Sequence, residues 1–193
     1  VPPVPRLIHE VCQAVAADGG DADRVRFADP GNWEPDVRAV EQGLYDAVMN
    51  VRAWEPFQGN TPPEEVVILE FDSVGVAPHH SYFLSVRQDL LERNPEFVRA
   101  FLAGTERGYR EAMDDEDAAV EAMSWPMCHV NPSVLRASLR AIRDSWFTPA
   151  GRWGQIQEGL VTTYTEWMAS GGWLEEGSSI ESLEGAWTNA FLP

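Results

Sequence analysis

Asn94-Pro95-Glu96 constrains this chain more tightly than any other three residues in it. Asparagine is a strong N-cap, proline suits the first helical position, and an acidic side chain there favours the helix dipole. A helix is therefore expected to begin at residue 95. The residues that follow carry Phe97, Val98, Phe101, Leu102, Tyr109 and Met113 on one face. That spacing predicts an amphipathic helix over 95–113 with the stripe turned to a core. Ahead of it, the apolar run Tyr82-Phe83-Leu84-Ser85-Val86 reads as a strand. Asn131-Pro132 repeats the same cap logic, and further helices are expected over 116–124, 132–145, 152–169 and near 180–190. The acidic run Asp114-Asp115-Glu116-Asp117 reads as a solvated helix start and not as a metal cluster.

Before residue 75 the pattern is different. Leu7, Ile8, Val11 and Val15 recur at helical spacing, and Gly19-Gly20 ends that helix. Val25-Arg26-Phe27 reads as a short strand closed by the turn Asp29-Pro30-Gly31. Pro35 opens a second helix with Val37, Val40 and Leu44, followed by a strand over 45–49. Val66-Val67-Ile68-Leu69 is an apolar run of the kind buried in parallel sheets. Strands separated by helices imply right-handed crossovers and an α/β layer.

Charge narrows the range of partners. The formal net charge is −17, from 31 acidic and 14 basic residues, and every basic residue is arginine. Such a field repels phosphate backbones and anionic lipid, so neither nucleic acid nor a membrane surface is an expected partner. The absence of lysine rules out Schiff-base chemistry on a lysine of this chain. Two cysteines, Cys12 and Cys128, are too few for a disulfide scaffold or a zinc motif. Cys12 falls on the apolar face of the first helix and reads as a buried structural thiol. No run is long enough for insertion into a bilayer. No signal segment is read in the sequence, which says nothing about compartment.

Several short motifs recur here in a characteristic order. They are Val1-Pro2-Pro3-Val4-Pro5 ahead of a helix, Gly19-Gly20-Asp21, Gly43-Leu44-Tyr45-Asp46-Ala47, Gly75-Val76-Ala77-Pro78, the Asn94-Pro95-Glu96 helix and the ending Trp187-Thr188-Asn189-Ala190-Phe191-Leu192-Pro193. Together they resemble the solute-binding proteins of ABC importers for thiamine-pyrimidine precursors, nitrate, sulfonates and taurine. The resemblance implies an α/β fold of the type II periplasmic-binding-protein kind. Residues 1–74 would form a parallel α/β second lobe, and residues 75–193 the mostly helical C-terminal part of the first. It further implies that the remainder of the first lobe lies outside these residues, on a removed segment or a partner chain. The implied role is capture of a small heteroaromatic metabolite for an ABC permease, outside the cytoplasm, with no cofactor, no metal and no catalytic residue. Three prolines in the helix-opening loop, where the family often has Gly and Ser, leave fewer N–H groups for an anion, which argues against nitrate or a sulfonate.

Ligands of such proteins sit at the carboxyl ends of parallel strands. After the expected strand at 45–49 come Asn50, Arg52, Trp54 and Glu55. Trp54 could stack on a flat ring and Glu55 accept its N–H groups; the plain alternative is rim charges and an indole capping the sheet. His79 and Tyr82, at the return between lobes, are further ligand candidates, with a hinge as the equal alternative. Adjacent His79 and His80 on an extended chain point to opposite faces, which disfavours a metal pair. Most of the eight tryptophans are expected in packing. Two other functions stay open: an enzyme on the same fold, desulfinase-like or pyrimidine-synthase-like, and a non-binding structural subunit. The desulfinase type needs a cleft cysteine, for which Cys12 on an apolar helix face is a poor candidate, and the synthase type needs a lysine, which this chain lacks.

Overall fold

The computed structural model describes residues 4–28, 37–62, 65–174 and 177–193. The chain divides into two compact units, one of Val1–His79 with Glu158–Leu183, the other of His80–Gln157 with Glu184–Pro193.

In the first unit, helix α1 spans Pro5–Ala17, with proline in its first turn and no side-chain cap from Val4. It ends where Gly19 takes a positive φ of 84° and Gly20 N–H reaches back 2.8 Å to the Val15 carbonyl. A short helix α2 covers Val37–Glu41; the expected turn Asp29-Pro30-Gly31 and Pro35 lie outside the described residues. Single 3₁₀ turns follow at Glu55–Phe57 and Phe71–Val74. The last of these packs on α1, and Gln13 Nε2 on α1 donates to the Gly75 carbonyl. The Glu158–Ser170 helix, α7 in chain order, returns to this unit. Ala14, Val37, Val76, Ala77 and Thr165 are buried. So is Glu10, at 2% exposure. A lone buried carboxylate is costly, and this one is held by the Arg6 guanidinium one turn earlier. Arg6 also donates to the Tyr164 hydroxyl over 2.9 Å, fixing α1 to α7.

The second unit holds α3 (Gln88–Arg93), α4 (Pro95–Asp114), α5 (Glu116–Ser124) and α6 (Pro132–Ile142). Asn94 caps α4 through the Phe97 N–H, Asp115 caps α5 through Ala118 N–H, and Asn131 caps α6 through Ser133 N–H. These helices bury Val98, Val120, Leu135 and Leu139. Tyr109 lies edge-on to Trp146 at 4.8 Å and tilted against the buried Trp153 at 5.3 Å. The chain's ending is fastened here: the Asn189 side chain accepts from Ile156 N–H and donates to its carbonyl, both at 2.9 Å. Arg99 reaches the Ala190 carbonyl and lies over the Phe191 ring.

The structure overturns the expected α/β fold. The described residues are 53% helical and contain no named strand and no sheet. One isolated antiparallel bridge joins Phe147 to Trp153. The runs at 25–27, 45–49, 66–69 and 81–86 all lie outside helix and strand. Val67 is 87% exposed and Tyr82 79%, with Ile68, Leu69, Phe83 and Leu84 exposed beside them. A strand is stable only against partners, and none is present among the described residues to complete a ladder for these runs. Three smaller corrections follow. Phe97, Phe101 and Met113 on α4 are exposed, so only part of the expected stripe meets a core. The helix expected from 152 begins at Glu158, and the one expected near 180–190 is a single turn at Glu181–Leu183.

Candidate functional site

A cleft of about 530 Å³ opens in the first unit between α1 and the C-terminal end of α7. Helical spacing places His9, Cys12, Gln13 and Ala16 of α1 along one wall. The other wall is Trp167 and Ser170 at the end of α7, then Gly171 and Trp173 beyond it. The rings lean on one another: His9 and Trp173 centroids are 4.3 Å apart, Trp167 and Trp173 4.9 Å, His9 and Trp167 6.0 Å. Trp173 folds back across Gly171, where a Cβ would fall among its six-membered-ring atoms. That position therefore needs a residue without a side chain.

The polar groups of the cleft are few. Gln13 donates its amide nitrogen to Gly75, so its carbonyl oxygen remains an acceptor. Ser170 donates to the Trp167 carbonyl at 2.7 Å, and its oxygen lone pairs remain. Cys12 is half-buried on the wall, which corrects its reading as a buried structural thiol. Among the described residues no arginine, aspartate or glutamate lines the cleft. The nearby Arg6 guanidinium on α1 is engaged by Glu10 and Tyr164. Tyr164 stacks on Trp167 at 5.6 Å, and burial pushes its phenol above the usual value. The cleft is open and mostly apolar, with a few polar atoms among its lining residues.

The residues expected from the sequence lie elsewhere. Asn50, Arg52, Trp54 and Glu55 sit together on the loop and 3₁₀ turn before Gln58. Glu55 Oε2 accepts from Val51 N–H at 2.9 Å, so half of its carboxylate stabilises its own turn. Arg52 pairs with Glu70 at 3.0 Å on the surface. Trp54 is half-buried. His79 stacks on Tyr164 and its Nδ1 lies 3.1 Å from the Ala77 carbonyl. His80 Nε2 accepts from Gln157 N–H in the second unit. Tyr82, also in the second unit, is exposed. None of the six lines the cleft. The cleft is hard to see in the sequence because His9 and Trp167 look like ordinary packing residues on two helices, 158 positions apart, and Trp173 lies just past the second. The one available signal was Gly171-Gly172-Trp173 just past a helix end.

Among the described residues no cluster of three or more His, Cys, Asp or Glu is placed to hold a metal ion. No described helix is long and apolar enough to cross a membrane. Neither the curated proteins nor the solved structures contain a match to this chain. Residues 5–119 match the model of the NMT1/THI5-like family. That match covers more than half of the chain, and the protein belongs to the NMT1/THI5-like family, which is generally associated with periplasmic solute-binding or thiamine-precursor-related proteins.

Proposed function

We propose that this protein captures a small, flat heteroaromatic metabolite of the thiamine-pyrimidine-precursor kind and delivers it to an ABC permease outside the cytoplasm. It binds and releases its ligand without chemistry of its own. The family match supports the solute-binding role. The observation that carries the ligand class is the indole-walled cleft between α1 and α7, whose half-buried Trp167 and Trp173 offer stacking area. Gln13 and Ser170 present acceptors at its edge, suited to ring or exocyclic N–H groups.

The test is a calorimetric titration with the pyrimidine precursor of thiamine. A saturable, one-to-one isotherm is expected, and Trp173→Leu should weaken it tenfold or more. Absence of binding at millimolar ligand sinks the proposal. The turn bearing Asn50, Arg52, Trp54 and Glu55, with His79 and Tyr82, is the alternative place for the ligand. The same titration on Glu55→Gln separates the two. A charge-assisted hydrogen bond lost there would weaken binding by about 1.5–3 kcal/mol, whereas unchanged affinity leaves the cleft.

A further inference from the structure

The two units differ sharply in charge. The unit that holds the cleft carries five arginines against nineteen carboxylates, a formal charge of −14. The other carries nine against twelve, a formal charge of −3. The acidic excess of the whole protein thus falls mainly in the unit that holds the cleft. Among the described residues no arginine lines that cleft, whose walls are His9, Cys12, Gln13, Trp167, Ser170 and Trp173 with two small residues. Arg6 is the nearest arginine along α1, and Glu10 neutralises it.

From this we infer that the cleft takes a planar cation, an N-alkylated or protonated aromatic heterocycle, in preference to neutral or anionic rings of the same shape. The inference rests on the cleft being the binding site of the function proposed above. Three features act in the same direction. Indole faces carry negative quadrupole density and attract a cation placed over them. With their donor groups engaged by Gly75 and Trp167, Gln13 Oε1 and the Ser170 lone pairs are acceptors, which suit positive N–H edges and not a carboxylate. The net negative field of the surrounding unit raises the local concentration of cations and lowers that of anions.

Three pyridines of one shape separate the charge question from the ring question: the 1-methylnicotinamide cation, neutral nicotinamide and the nicotinate anion. Calorimetry on the whole protein should show the cation binding at least tenfold more tightly than nicotinamide, and nicotinate not at all. Raising sodium chloride from 50 to 300 mM should weaken the cation several-fold and leave the neutral ring unchanged, because mobile ions screen the surrounding carboxylates. Trp173→Leu should remove the preference. In case that variant fails to fold, a second readout leaves the cleft unaltered. In a Cys128→Ser background, saturating cation should slow alkylation of Cys12 at least fivefold. Equal affinity for cation and neutral ring, any preference for nicotinate, no binding of all three, or cation binding that leaves Cys12 unprotected would each overturn the inference. The pyrimidine titration stands apart from this series, so a neutral pyrimidine that binds while the cation does not would retain the solute-binding reading and reject the charge preference.

Discussion

His79 stacks on Tyr164, with ring centroids 4.1 Å apart and 26° between the planes. The pairing joins the end of the first segment to α7, and the Tyr164 hydroxyl accepts the Arg6 hydrogen bond. His79 therefore has a packing role that its sequence context, a return between expected lobes, did not disclose.

The Arg6–Glu10 pair should behave as a buried ion pair with one wet end. Arg6→Met alone strands the Glu10 carboxylate in the interior and is expected to destabilise the protein by about 3–5 kcal/mol. Arg6→Met combined with Glu10→Leu should recover most of that loss, since an apolar pair of similar volume needs no compensating charge. Urea denaturation of the three proteins measures it. A double variant no more stable than the single one would refute the account.

Tyr164→Phe removes only the hydroxyl that accepts from Arg6. The expected loss is about 0.5–1.5 kcal/mol, the net worth of one hydrogen bond, with the His79 stack retained. Thermal unfolding followed by circular dichroism reports it.

Gly171→Ala tests the folded-back indole. The new methyl would occupy the space of the Trp173 ring, so the ring has to swing away or the backbone to shift. Overpacking of this sort costs about 1–3 kcal/mol. Near-ultraviolet dichroism should change while helix content stays constant, and binding in the cleft should fall. An unaltered near-ultraviolet spectrum would show that Trp173 does not lie over Gly171.

Glu116 should set an acid limb in the stability of the second unit. Hydrogen bonds from Arg140 first, and then Arg136, hold its carboxyl down from 4.5 to about 2. A carboxyl depressed in the folded state binds its proton more readily when unfolded. Its stabilisation is therefore complete above about 4.5 and is lost as pH falls toward about 2. Glu116→Gln should lower stability at neutral pH and flatten this acid limb. A wild-type-like slope between those values in the variant would show that other carboxylates are responsible.

Local chemistry was legible in the sequence. The caps at Asn94, Asp115 and Asn131 depend on side chains reaching their own backbone within three residues, and α4, α5 and α6 begin where those residues dictate. The stop of α1 at Gly19-Gly20 follows equally from a glycine free to take positive φ. The net charge, the arginine-only basic set and the motifs of the family were likewise present in the residues alone. Strands were a different matter. Val66–Leu69 and Tyr82–Val86 have strand composition, yet a strand exists only when another backbone pairs with it, and their own residues cannot supply that partner. The cleft and the Glu116 arginine cluster were hidden for the same reason. His9 and Trp173, or Glu116 and Arg140, gain their roles only when distant helices meet, because apolar and charged side chains interact with whatever the fold brings within a few ångströms.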